Sequence, residues 1–268
     1  MKADTPPVTG TFLSALARKE CRAIAKAMGG TKDRHRGIHE ARKAIRRLRS
    51  LLSLMSGAVG HDTAKIDLAL QKQAKRLCAL RDSHVVVTLA EKLAVEDDTG
   101  EWAVAAQVLA VQRDLLLEVE LSKDPGFARR IAAIGDIAAV FEKLRWKRLS
   151  QEALQRAIKK SHQRVVRAEH EAAETGTPAS LHRWRRRVRR LRMQLDAVKA
   201  LNKLAGVRIK ASDAHKNKST KVLAKLADQL GWQQDIQVLR GALKTFPDPT
   251  ILASLRKRLR TEKRLAKL

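Results

Sequence analysis

The chain has 268 residues, of which 56 are Lys or Arg and 28 are Asp or Glu, a formal net charge of +28. Its 44% apolar content is enough for a core, which excludes a disordered basic tail. With no Tyr, 4 Trp and 4 Phe it lacks the stacking surface that holds single-stranded nucleic acid or RNA bases, which favours a partner that is all phosphate. Duplex DNA gripped only through its backbone fits the same composition.

Ala, Leu, Arg and Lys dominate, and β-branched and aromatic residues are few, so the expected fold class is all-α. In chain order, apolar periodicity predicts helices over 11–28, 33–56, 62–80, 82–95, 101–122, 127–147, 150–173, 179–204, 213–230, 233–245 and 250–267. Between them lie turn residues, among them Gly29-Gly30, Ser56-Gly57, Asp124-Pro125-Gly126, Thr175-Gly176-Thr177-Pro178 and Pro247-Asp248-Pro249. The first ten residues lack the layout of a signal peptide, and no apolar run approaches the roughly 18 residues a spanning helix needs. A cytoplasmic protein without membrane contact is expected. Cys21 and Cys78 have no ligand or disulfide spacing and read as two small core thiols in a reducing compartment.

Two stretches repeat. Residues 39–49 read His39-Glu-Ala-Arg42-Lys43-Ala-Ile45-Arg46-Arg47-Leu48-Arg49, and residues 182–192 read His182-Arg-Trp-Arg185-Arg186-Arg-Val188-Arg189-Arg190-Leu191-Arg192. Downstream of each, Leu77-Cys-Ala-Leu-Arg81-Asp82 parallels Leu230-Gly-Trp-Gln-Gln234-Asp235 in the same order. The period of about 145 residues is too long for a solenoid unit. It predicts two similar helical bundles, residues 1–125 and 126–268, divided near Asp124-Pro125-Gly126.

On a helical wheel His39, Arg42, Lys43, Arg46 and Ser50 share one side, flanked by Arg47 and Arg49. Ile38, Ala41, Ile45, Leu48, Leu52 and Met55 fall opposite. In the second copy His182, Arg185, Arg186 and Arg189 share one side, flanked by Arg190 and Arg192, against Leu181, Trp184, Val188, Leu191, Leu195 and Val198. Seven of the ten residues from Arg183 to Arg192 are Arg. Like charges three or four apart on a helix repel, and solvated faces usually mix signs. A face without acids, found twice, therefore points to a bound polyanion. Arginine stays charged and can hold two phosphate oxygens at once. Neighbours one turn apart lie about 5–6 Å from each other, a spacing suited to a repeating anion. Arg18, Lys19, Arg22, Lys72, Arg76, Lys160, Lys218, Lys221 and Lys225 would extend the cationic track.

The duplicated helix, with Arg81-Asp82 and Gln234-Asp235 after it, resembles the CHAD family, the conserved-histidine α-helical domain, over roughly residues 10–268. The resemblance implies two pseudo-symmetric four-helix bundles with additional helices and a basic central surface or pore. It also implies binding of inorganic polyphosphate and association with polyphosphate granules. Carried over, the ligand residues would be His39, Arg42, Lys43, Arg46, Arg49, His182, Arg185, Arg186, Arg189 and Arg192. Asp82 and Asp235 are expected to cap helices or pair with arginines. Some members carry a tunnel domain with an E-x-E-x-K strand; Glu118-Val-Glu120-Leu-Ser-Lys123 does not match it, so a stand-alone binding module is expected.

No phosphate-binding G-x-x-x-x-G-K-[ST] loop, G-x-S-x-G elbow or H-E-x-x-H pair occurs. His35 and His39 share a helix face but lie among arginines that would repel a metal. The expectation is a binder rather than an enzyme, with no cofactor beyond divalent cations carried by polyphosphate. Its partner would be polyphosphate or, as the alternative, the backbone of a nucleic acid.

Overall fold

The computed structural model describes residues 8–56, 58–59, 62–205, 209 and 220–261, and no strand occurs among them. Ten α-helices follow one another: α1 (Val8–Gly29), α2 (Arg34–Met55), α3 (Asp62–Arg76), α4 (Cys78–Ala94), α5 (Glu101–Lys123), α6 (Ala128–Glu142), α7 (Gln151–Thr175), α8 (Pro178–Ala205), α9 (Thr220–Ala242) and α10 (Pro249–Thr261). Single 3-10 turns stand at Pro125–Phe127, Trp146–Arg148 and Leu243–Thr245. The all-α expectation holds.

Three predicted boundaries move, each for a local reason. The break expected at Arg81 lies at Leu77, which is 1% exposed with φ −95° and ψ 7°, so Arg81 falls inside α4. The helix predicted to reach residue 147 stops at Glu142. There the Trp146 indole Nε1 donates to the Phe141 carbonyl at 2.9 Å and satisfies a helix-end acceptor. The two helices predicted over 213–230 and 233–245 are one helix from Thr220 to Ala242. Gly231 costs that helix only about 1 kcal/mol relative to Ala, and the burial of Leu230, Ile236 and Leu239 around it outweighs that. Residues 213–219 of the prediction lie outside the described residues.

The chain forms two compact units, residues 1–76 with 127–227, and 77–126 with 228–268. They do not follow the boundary expected between residues 125 and 126, since each unit draws on both sides of it.

In the first unit α2 packs against α1, α3, α7 and α8. Asp33 starts α2, its carboxylate accepting from the Arg36 N–H at 2.9 Å. The apolar stripe read from the sequence is buried: Ile38, Ala41, Ile45, Leu48, Leu52 and Met55 are all at most 2% exposed. Each large side chain among them contributes about 1.5–3 kcal/mol. The α1–α2 contact is close enough to need glycine. A Cβ on Gly37 would stand 2.3 Å from the Ala27 carbonyl oxygen. From α8, Val188, Leu191, Leu195 and Val198 are buried as read, whereas Leu181 and Trp184 are half-buried.

In the second unit α4 and α5 pair along their length through Val86, Leu89 and Leu93 against Trp102, Ala105 and Leu109, and Ile236, Leu239, Leu255 and Leu259 of α9 and α10 complete that core. The second repeated block meets itself here. Arg81 donates from Nη1 to Asp82 at 2.9 Å and from Nη2 to Asp235 at 3.1 Å. The expectation that both aspartates pair with an arginine is met.

Candidate functional site

The repeated arginine helices, α2 and α8, lie side by side in the first unit. Gln194 of α8 fixes their register. Its side chain is fully buried, and Nε2 donates to Ser53 Oγ at 2.6 Å and to the Ser50 carbonyl at 3.3 Å. One turn away Ser50, buried, donates its hydroxyl to the Arg46 carbonyl at 2.8 Å, as a small hydroxyl can inside a helix. Small polar residues at these points let the helices approach and leave the long arginines on either side of the seam.

Above that seam is a recess of about 70 Å³ lined by Arg46, Arg49 and Ser50 of α2 and Arg186, Arg189, Arg190 and Met193 of α8. Pockets that enclose a whole small molecule usually measure some 300–1,000 Å³. This one has room for no more than a single phosphate-sized group.

Five guanidiniums meet there, and that of Arg49 is paired with a carboxylate. Arg49 forks onto Asp67 of α3, Nε to Oδ1 at 2.7 Å and Nη2 to Oδ2 at 3.1 Å. Burial opposes ionisation of Asp67. The Arg49 fork, the Gln71 amide and the charge of Arg190 overcome it and hold this carboxyl below the usual range. Arg190 fares differently. Burial and the charges of Arg49, Arg187 and Arg164 depress its pKa against the weaker pull of Asp67. Arg187 is depressed in the same way by burial and by Arg164, Arg186, Arg183 and Arg167. Arginine remains charged despite such shifts, so what they record is burial first and then repulsion within the folded chain.

The predicted ligand residues divide. Arg46, Arg49, Arg186 and Arg189 are brought together at the recess. Arg42 turns to α3 instead, its Nη1 donating to the Ala74 carbonyl, one of the last acceptors of that helix. Arg185 was expected on the cationic face, but it is only 9% exposed. It stands four residues after Leu181 and three before Val188, at the edge of the apolar stripe, which draws it inward. Lys43 pairs with Glu40 at 3.0 Å. His39, His182 and Arg192 are half-buried on the same two helices.

Among the outlying cations, Arg18, Lys19 and Arg22 are exposed on α1, Lys72 and Arg76 on α3, Lys160 on α7, and Lys221 and Lys225 on α9; none of them lines the recess. Lys218 lies outside the described residues. Two residues matter more than the sequence pattern indicated. Arg190, read as a flank, lines the recess, while its repeat counterpart Arg47 is taken by Glu20 at 2.8 Å. Arg187 was not singled out, although the run of seven arginines in ten residues contains it.

Cys21 is buried and its thiol is pushed up to about 11, first by burial and then by Glu20, which makes it inert; Cys78 is half-buried, and both are free. Among the described residues no group of His, Cys, Asp and Glu is arranged to hold a metal ion, and no helix is long and apolar enough to cross a membrane.

The family model of the CHAD domain matches residues 15–244. The crystal structure of the CHAD domain from the plant Ricinus communis superposes with a TM-score of 0.69 at 17% identity, over 99% of this chain and 90% of that one. PptA from Streptomyces chartreusis superposes with a TM-score of 0.64, also at 17% identity, over 98% of this chain and 96% of its own. At that identity the likeness of the structures speaks for the fold alone. No curated protein matches the chain.

Proposed function

We propose that this chain, which belongs to the CHAD domain family, binds inorganic polyphosphate along the α2–α8 seam. The observation that carries the reading is the set of five arginines from two helices around one small recess, where like charges crowd Arg190. Such a cluster repels itself, and a linear phosphate polymer relieves the repulsion at several points at once. CHAD domains are associated with polyphosphate, and the scarcity of aromatic side chains argues for a ligand without bases.

In this reading Arg46, Arg186, Arg189 and Arg190 grip phosphate oxygens, and Arg49 divides its donors between Asp67 and the ligand. Arg42 and Arg185 support the helices that carry them. Divalent cations arrive with the polymer. The protein holds the chain without cutting it and resides with polyphosphate granules.

The test replaces Arg46 and Arg189 together by Ala and measures binding of long-chain polyphosphate at fixed salt. Two charge-assisted contacts are lost, so affinity should fall by at least about a hundredfold with helicity unchanged. A control removes the same charge at exposed Lys65 and Lys92 and should lose far less. Equal losses in the two variants would mean that overall charge, not the recess, holds the ligand.

A further inference from the structure

A second recess lies in the first unit between the C-terminal end of α2 and the first half of α7. It measures about 260 Å³ and is lined by Ser53, Leu54, Ser56 and Ala58 on one side and Ala153, Arg156, Ala157, Lys160, Ser161 and Arg164 on the other. The space exists because its walls are made of Ala and Ser where larger residues would fill it. No hydrogen bond or ion pair engages Lys160 or Arg164 among the described residues.

One hydroxyl is placed to donate. Ser53 Oγ accepts from Gln194, which leaves its own O–H available. The end of α2 would oppose an anion through its bare carbonyls, but several are already answered. The Ala58 and Val59 N–H groups donate to the Met55 carbonyl at 2.9 and 3.3 Å, and Ser56 Oγ donates to the Ser53 carbonyl at 3.4 Å.

The two recesses lie within reach of each other's charges. Arg164 lines the second, and its charge acts on Arg190, which lines the first. Three cations and a donating hydroxyl around one larger pocket suit a group with more charge and more free oxygens than a mid-chain phosphate. A terminal phosphoryl is that group. It carries about −1.5 to −2 near neutral pH, as a phosphomonoester does, and has three free oxygens.

We infer that this α2–α7 recess receives the terminal phosphoryl group of a phosphate chain whose internal units lie on the α2–α8 arginines. This rests on the polyphosphate reading and adds an end-recognising subsite to it. The role is binding only, with no bond made or broken.

The experiment compares long-chain polyphosphate with free ends and the same chains with both ends capped as phosphoramidates. Three proteins are used: the wild type, Arg156→Ala, and Ala157→Leu, which fills the recess without changing charge. Wild type should prefer free ends by roughly tenfold, about the worth of one charge-assisted hydrogen bond. Both variants, folded by circular dichroism, should lose that preference. Equal binding of free and capped chains by the wild type, or a preference that survives Ala157→Leu, overturns the end subsite while leaving polyphosphate binding intact. If neither chain binds the wild type, the polyphosphate reading falls, and the subsite falls with it.

Discussion

Arg81 and Arg190 are both largely withdrawn from water, and they meet opposite fates. Burial alone would lower each. Arg81 is nevertheless raised, because Asp82 and Asp235 hold its two Nη atoms. Arg190 is lowered, because other arginines surround it. A cation with two carboxylate partners serves the fold, whereas one crowded by like charges is, in the proposed reading, relieved by a bound polyanion. The same criterion separates neighbours on α8. Replacing buried Arg185 by Ala should cost about 1–3 kcal/mol of stability, since its packing and polar contacts are lost. Replacing exposed Arg186 should change stability by no more than about 0.5 kcal/mol and weaken polyphosphate binding instead. Chemical denaturation of the two variants checks this; an Arg185→Ala protein as stable as the wild type would return Arg185 to the ligand face. The wheel put both residues on one cationic side. Spacing did not separate them, because Arg185 and Arg42 each stand four residues after one apolar position and three before the next, and so does Arg49, which lines the recess.

Among the elements, the helices that periodicity describes best are the amphipathic ones. The α2 stripe was legible because every apolar position is a core position and the opposite face is charged. α9 was not, because Gly231 and Trp232 interrupt the pattern in a stretch whose helix is set by packing around Ile236 and Leu239. The turn before α5 is held by one carboxylate. Asp97 accepts from the Thr99 N–H at 3.2 Å, the Thr99 hydroxyl at 2.7 Å and the Trp102 N–H at 2.8 Å, and pairs with Arg258. Burial works against its charge, but these donors and Arg258 prevail and hold its carboxyl at about 2. The unfolded value is near 3.9, so the folded value is the lower one. The stabilisation is therefore full above about pH 4 and is lost as pH falls towards about 2. Asp97→Asn should be less stable than the wild type at pH 6, and the gap should narrow steadily between about pH 4 and pH 2. A gap independent of pH would mean that the Asp97 charge contributes nothing.

At the scale of the whole molecule, the repeat singled out α2 and α8 but not how they would be brought together. Two copies of one arginine helix can meet only through tertiary packing. It is Gln194, Ser50 and Ser53 at the seam, residues without a periodic signature, that set their register. The compact units likewise cut across the repeat, since α4 and α5 bury their apolar faces on each other and on α9 and α10. The charge of +28 was plain from the first, and it alone would attract any polyanion with strong salt dependence. In the proposed reading, discrimination comes from the small arginine recess and the near absence of stacking surface. The most direct measurement is competition. Labelled long-chain polyphosphate bound to the protein is challenged with duplex DNA, single-stranded RNA and orthophosphate at matched phosphate and fixed salt. Polyphosphate binding at the seam predicts that only unlabelled polyphosphate displaces the label efficiently. Equal displacement by DNA or RNA would contradict it and leave the protein a general magnet for polyanions.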